Sequence, residues 1–267
     1  VGFSDWLSCL NKKRGNMSKI ALVTGASAGF GKAIAEKLVS DGYRVIASAR
    51  RLEKLQSLQA ALGEQNVYPL QMDVSQTQAI DEALASLPKE WREIDILVNN
   101  AGLALGLDKA YEADFSDWLT MINTNIVGLT YLTRQILPDM VKRNTGMIIN
   151  LGSTAGTVPY PGANVYGASK AFVKQFSLNL RADLAGTKIR VTNIEPGLCE
   201  GTEFSNVRFK GDNERAEKLY DGAHAIKPED IANTVSWVAS QPSHVNINRI
   251  EIMPVSQSFG PQPVYRD

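Results

Sequence analysis

Tyr166 and Lys170 stand four residues apart in Tyr166-Gly167-Ala168-Ser169-Lys170, and Ser153 precedes the tyrosine by thirteen positions. On a helix, residues i and i+4 share one face, so the lysine ammonium sits one turn from the phenol. An opposite charge about 4–6 Å away favours the ionised form of a titrating group. A free phenol has a pKa of about 10, and poising it near neutrality takes about 4 kcal/mol of differential stabilisation. One ammonium and a cationic cofactor ring together supply an effect of that order. The tyrosine is then a usable acid or base, and a serine hydroxyl beside it is a second donor for an oxygen that gains negative charge.

A glycine-rich turn provides the matching cofactor signal. Thr24-Gly25-Ala26-Ser27-Ala28-Gly29-Phe30-Gly31 follows the apolar run Ile20-Ala21-Leu22-Val23 and opens a helical pattern. Glycines there allow a tight turn and close approach of backbone to a pyrophosphate, with the helix N-terminus aimed at the anion. The spacing, Gly-x-x-x-Gly-x-Gly, differs from the commoner Gly-x-Gly-x-x-Gly fingerprint. At the end of the second predicted strand, where NAD-binding chains commonly carry an acid for the ribose 2′-hydroxyl, Val45-Ile46-Ala47-Ser48-Ala49-Arg50-Arg51 has none. Arg50 and Arg51 instead fall at a helix start, an unfavourable place for cations. A 2′-phosphate gripped by the guanidinium forks relieves that conflict; two solvated arginines are the plain alternative. Asp73, at the end of the third strand, suits a cap for the helix that follows.

These residues need a scaffold that brings strand ends together. From Ser18 onward, short aliphatic runs alternate with stretches of helical period, as parallel βαβ units require. Strands are predicted at 19–24, 43–48, 66–71, 94–98, 146–151, 188–194 and 248–252, with helices at 29–41, 51–62, 76–87, 116–142, 164–185 and 228–240. Pro138 is expected to bend or divide the long fourth helix. Pro69 cannot donate to a ladder, which puts the third strand on a sheet edge, its place in the doubly wound order 3-2-1-4-5-6. The expected fold is a single-domain α/β Rossmann fold: a doubly wound, mostly parallel seven-stranded sheet with helices on both faces.

Composition narrows the partners. In 267 residues, 28 Lys and Arg balance 28 Asp and Glu, which argues against nucleic acid or an anionic membrane surface as the main partner. Two cysteines, Cys9 and Cys199, suggest neither a disulfide framework nor a thiolate metal site, and a reducing, cytoplasmic setting fits. His224 and His244 have no neighbouring ligand cluster, so no metal is expected. No apolar run approaches the ~18 residues of a membrane helix. Residues 1–16 lack the pattern of a secretory signal and are expected to be a leader or tag outside the fold, leaving 17–267 as one domain.

In order and spacing, Thr24 to Gly31, Asn99-Asn100-Ala101-Gly102, Asn125, Ser153 and Tyr166-x-x-x-Lys170 resemble the motifs of the short-chain dehydrogenases/reductases, over a span from about Ser18 to Met253. The stretches 97–105, 152–156, 164–180 and 195–211 are more closely similar to the bacterial NADP-dependent 3-hydroxy acid dehydrogenases. Those enzymes are also described as serine or L-allo-threonine dehydrogenases and malonic semialdehyde reductases. The resemblance implies a catalytic set of Asn125, Ser153, Tyr166 and Lys170. Tyr166 gives the proton, Ser153 adds a hydrogen bond, Lys170 lowers the phenol's pKa and holds the nicotinamide ribose, and Asn125 positions a water that links Lys170 to solvent. It implies an NADP(H) cradle of Gly25, Ser27, Ala28, Gly29, Phe30, Gly31, Arg50, Arg51, Asp73, Val74, Asn100, Ala101, Gly102, Tyr166, Lys170, Pro196, Gly197, Thr202 and Phe204. A homotetramer is likewise implied.

Substrate selection is expected after the sixth strand, in a lid over about 197–226 with glycine hinges at 197, 201, 211 and 222. A small hydroxy or oxo acid needs a cation, and Arg208 and Lys210 are the candidates within the lid. Arg208 is preferred because a planar fork grips a carboxylate bidentately. The substrate set is therefore Ser153, Tyr166 and Arg208. A 3-oxoacyl carrier-protein reductase is the alternative within the class; it would carry a basic docking patch around the site mouth, which the even charge balance does not suggest. A non-catalytic NADP(H)-binding sensor on the same fold has no use for the intact serine, tyrosine and lysine.

Overall fold

The computed structural model describes residues 18–260. The expected leader at 1–16 lies outside the described residues. Strands β1 (Ile20–Thr24), β2 (Arg44–Ala49), β3 (Val67–Gln71), β4 (Ile94–Asn99), β5 (Gly146–Leu151), β6 (Ile189–Pro196) and β7 (Arg249–Ile252) form one sheet in the order β3-β2-β1-β4-β5-β6-β7. Every pairing is parallel. Pro69 sits on the edge strand as expected, opposite Ala47.

Alternation along the strands sorts the core into two layers. Ala21, Val23, Val45, Ala47, Ile96 and Val98 pack under helices α1 (Gly29–Ser40), α2 (Leu52–Leu62) and α9 (Pro228–Ser240). Ile20, Leu22, Ile46 and Leu97 pack under α3 (Thr77–Ser86), α5 (Leu129–Arg143) and α6 (Asn164–Asp183). Burial on both faces explains why the central strands read as aliphatic runs with few polar residues.

The expected long fourth helix is interrupted, but not at Pro138. Helix α4 (Phe115–Ile122) passes through a π-helical turn at Asn123–Gly128 into α5, which continues through Pro138 to Arg143. Close packing marks the end of the turn: a Cβ on Gly128 would lie 2.2 Å from the Val74 carbonyl oxygen. The helix thus packs directly against the loop after β3, and a π turn is a frequent device for re-aiming side chains at functional sites.

After β6 the chain makes a closed excursion. Cys199 and Ile226 form a parallel bridge, with Glu200 N donating to Ile226 O at 2.9 Å and Ile226 N to Leu198 O at 3.1 Å. Between them lie two short helices that the sequence pattern had not suggested, α7 (Phe204–Arg208) and α8 (Asn213–Lys218). Gly201, Gly211 and Gly222 adopt positive φ, as hinges or turns require. Gly197 does not: it is fixed by Gln257, whose Oε1 would lie 2.3 Å from a Cβ there.

Candidate active site

In this strand order the connections reverse direction between β1 and β4, and open α/β sheets bind ligands at that crevice. Thr24 stitches it together. Its Oγ1 donates to Val98 O and accepts from Asn100 N at 3.0 Å and Ala101 N at 2.9 Å, while Asn100 Nδ2 donates to Thr24 O at 2.7 Å. A Cβ on Gly31 would lie 2.2 Å from Gly25 O, so the helix start can close on the turn only as glycine. No side chain caps the N-terminus of α1 and no acid occupies its first turn, which suits an anionic ligand.

A cleft of about 720 Å³ opens from this turn. Gly25, Ser27, Ala28, Gly29, Phe30, Arg50, Arg51, Asp73, Val74, Asn100, Ala101 and Gly102 line it from one side, and Pro196, Gly197, Thr202 and Phe204 from the other. Gly31 is the only expected cradle residue that does not line it, because it packs beneath the turn. The donors fit a dinucleotide phosphate: backbone amides at the helix start, the Ser27 hydroxyl and two guanidiniums.

Arg51 departs from the expectation of an arginine in need of an anion. Its Nη1 and Nη2 grip Glu203 Oε1 and Oε2 at 3.0 and 2.8 Å, and Nη2 also reaches Ser27 Oγ at 2.9 Å. The carboxylate from the excursion after β6 thus relieves the conflict at the start of α2. The Asp73 Oδ1 accepts from Ser75 N and Oγ at 2.9 and 2.8 Å, a local turn rather than a cap, since the residue at the N-cap of α3 is Gln76.

Helix α6 presents Tyr166 and Lys170 to the cleft floor, both buried. Ser153, at the start of a 3₁₀ turn after β5, donates to Pro196 O at 3.4 Å and accepts from Ala155 N at 3.1 Å. Its hydroxyl is also near enough to the Tyr166 phenol to favour the ionised form. Lys170 Nζ donates to Leu151 O at 2.8 Å and lies 5.9 Å from the Tyr166 ring centroid. Burial raises the phenol's pKa above its ordinary value, opposed by the Ser153 hydroxyl and then by Arg208. Burial also pulls the Lys170 ammonium down to about 8. Desolvation dominates both groups, and the main influences opposing it at the phenol are the Ser153 hydroxyl and Arg208.

Asn125 sits in the π turn. Its Oδ1 accepts from Leu103 N at 3.0 Å, and its Nδ2 donates to Leu103 O at 2.9 Å and Ser169 Oγ at 3.1 Å. A Cβ on Gly102 would lie 3.2 Å from Asn125 Oδ1 and 3.4 Å from Lys170 Nζ. Asn125 and Lys170 thus flank Gly102, and the amide clamps the loop at Leu103.

Arg208 completes the site. Although buried, among the described residues it donates only to neutral acceptors: Nε to Gly106 O at 3.2 Å and Nη2 to the Tyr160 hydroxyl at 3.0 Å. Its Cζ lies 5.5 Å from the ring centroids of both Tyr160 and Tyr166. Phe204 stacks obliquely on Tyr166, with centroids 5.6 Å apart. Lys210, the other candidate, is mostly exposed and paired with Asp117 at 2.9 Å, away from the cleft lining.

A family model described as short chain dehydrogenase matches residues 19–213. The chain belongs to that family. This short-chain dehydrogenase is 62% identical over 247 residues to the NADP-dependent 3-hydroxy acid dehydrogenase YdfG of Salmonella typhi, covering 92% of this chain and 99% of that protein. It is 51% identical over 251 residues to the serine 3-dehydrogenase of Agrobacterium fabrum, covering 94% and 100%. A solved closed form of serine dehydrogenase complexed with NADP+ superposes with a TM-score of 0.91 at 60% identity, covering 93% and 100%.

Some cleft residues of this short-chain dehydrogenase had no readable signal. Tyr160 and Tyr220 line the cleft from a loop and from the excursion, where no period marks them. Gln257 accepts from Leu198 N at 2.7 Å across fifty-nine residues, a contact no local pattern announces. Glu203 lay inside the expected lid but its partner, 152 residues away, was hidden. Cys199 is held protonated by burial, its pKa pushed up to about 12, in keeping with a packing role. Among the described residues no three His, Cys, Asp or Glu side chains gather as a metal site, and no helix is long and apolar enough to cross a membrane.

Proposed function

We propose that this short-chain dehydrogenase transfers hydride between NADP(H) and C3 of small 3-hydroxy and 3-oxo acids. The observation that carries the acid specificity is Arg208: a buried residue whose guanidinium is bonded, among the described residues, only to neutral oxygens, 5.5 Å from the ring of Tyr166. A buried cation without a counter-ion is costly, and a substrate carboxylate supplies one beside the reacting carbon.

NADP(H), when bound, supplies or accepts the hydride. Tyr166 donates its phenolic proton to the carbonyl oxygen as charge develops there, and the Ser153 hydroxyl donates a second hydrogen bond to the same oxygen. The raised pKa of Tyr166 keeps the proton in place for reduction; oxidation requires the phenolate, which a cationic nicotinamide and the Lys170 ammonium favour. Lys170 also holds the nicotinamide ribose, Asn125 fixes the loop that carries Gly102, and Arg50 and Arg51 receive the 2′-phosphate. The excursion 197–226 serves as a lid, with Phe204 excluding water from Tyr166. The physiological unit is a cytoplasmic homotetramer; exposed Phe115 on α4 and Phe172 on α6 are apolar surface that subunit packing covers.

The deciding experiment follows NADPH oxidation with malonic semialdehyde and NADP reduction with serine, threonine stereoisomers, 3-hydroxypropionate and neutral alcohols, each repeated with the NAD pair. Acids turned over far faster than neutral alcohols, and only efficiently with NADP(H), are expected. Equal turnover of acids and neutral alcohols overturns the reading.

A further inference from the structure

Ser27, Arg51 and Glu203 all line the cleft mouth, and the two terminal nitrogens of Arg51 are both committed to the Glu203 carboxylate. This is fork-on-carboxylate geometry, the same bite a phosphate offers with two of its oxygens. We propose that Glu203 is a cofactor-specificity residue, its carboxylate occupying the Arg51 fork that the adenosine 2′-phosphate needs, so that the phosphate binds by displacing it. The inference rests on the reading above that Arg51 receives that phosphate.

Two anions cannot use the same pair of N–H groups, and a carboxylate left within a few ångströms of a phosphate repels it. The pair is half-exposed on both sides, so it is weak enough to yield to a ligand of higher charge. A 2′-hydroxyl has no charge with which to compete, so it leaves the pair closed. Arg50 lines the same cleft and its side chain enters none of the described ion pairs, which makes it the first contact for an arriving phosphate. Once Glu203 is displaced, the lid keeps its second anchor, Lys210 on Asp117, together with the Gly106 N to Arg208 O bond at 3.0 Å. Glu203 thereby lowers affinity for the phosphorylated cofactor while leaving the unphosphorylated one untouched.

Calorimetric titration of the full chain with adenosine 2′,5′-bisphosphate and with 5′-ADP tests this without any turnover. Glu203→Gln is expected to bind the bisphosphate about three- to tenfold more tightly, the exposed pair and the like-charge repulsion together being worth about that much. Affinity for 5′-ADP should stay within about twofold. Arg51→Gln should weaken the bisphosphate, and the double variant should show no gain from the second change. Bisphosphate affinity in Glu203→Gln that is unchanged or weaker, or a gain shared equally by 5′-ADP, overturns the proposal while the Arg51 reading stands. If Arg51→Gln binds the bisphosphate as well as the parent does, the Arg51 reading fails and this proposal fails with it.

Discussion

Arg208→Met removes the guanidinium of a residue that is 9% exposed, together with its bonds to Gly106 O and the Tyr160 hydroxyl, and keeps most of the stem's bulk. Two effects follow, and they separate by substrate. Gly106 O and the Tyr160 hydroxyl each lose a donor, about 1 kcal/mol apiece, and this loss loosens the lid for every substrate alike. A carboxylate in addition loses a charge-assisted fork in a site shielded by Phe204, worth about 2–4 kcal/mol in kcat/KM, or about 30- to 1000-fold. Lys210 does not replace it, because its ammonium is held by Asp117. The assay is kcat/KM for 3-hydroxypropionate or serine beside a neutral secondary alcohol, at saturating NADP. The ratio between the two substrates, not either absolute rate, isolates the carboxylate. Arg208→Lys retains the charge without the fork and should fall between parent and Arg208→Met. Equal losses for acid and alcohol would refute the reasoning and make Arg208 a lid-folding residue.

Tyr166→Phe should abolish turnover while NADPH still quenches or enhances fluorescence on binding, since the cradle is untouched; rates within tenfold of the parent would exclude Tyr166 as the acid. Neutralising Arg50 and Arg51 together should weaken NADP far more than NAD, each charge-assisted phosphate contact being worth about 1.5–3 kcal/mol; equal losses would mean the arginines do not read the phosphate. Lys170, with a folded pKa of about 8 against an ordinary 10.5, makes the folded protein bind fewer protons than the unfolded chain between those values. Stability therefore rises with pH across about 8 to 10.5 from this group, by on the order of 3 kcal/mol. Lys170→Met should lose that rise in urea unfolding, and an unchanged pH slope would contradict a desolvated lysine. Gly128→Ala would press a methyl on the Val74 carbonyl oxygen and should destabilise by about 1–3 kcal/mol, read as a lower urea midpoint with an unchanged slope.

The sheet was legible because its signals are local. A strand buried on both faces is an aliphatic run, as in β1, β4 and β5; the exposed edge strand β7, Arg249–Ile252, shows the alternation of a half-buried strand, and the place of β3 followed from one proline. The interruption of the fourth helix was misassigned for the same reason. Pro138 is a visible breaker, yet the helix absorbs it, while the irregularity lies at Asn123–Gly128, where Gly128 packs against Val74, fifty-four residues earlier. Sequence displays a proline directly, but it displays a non-local collision only as an unexplained glycine.

The site divides along the same line. Ser153, Tyr166 and Lys170 could be named because their chemistry depends on residue type and short spacing, and the structure brings them together. Their electrostatics could not be read, because desolvation depends on the whole fold around them. An ammonium one turn from a phenol suggests mutual support, yet burial in this cleft penalises the charged form of each, so both are biased toward neutrality until other charges arrive. Arg208 is one such charge, 5.5 Å from the phenol ring. Through it a substrate carboxylate and the acid/base are electrostatically linked: a carboxylate that neutralises Arg208 removes part of what favours the Tyr166 phenolate. That coupling helps the phenol keep its proton with an oxo acid in place, the state that carbonyl reduction needs. In the oxidative direction the phenolate has to form against the same coupling, so the burden falls more heavily on Ser153, Lys170 and the cationic nicotinamide.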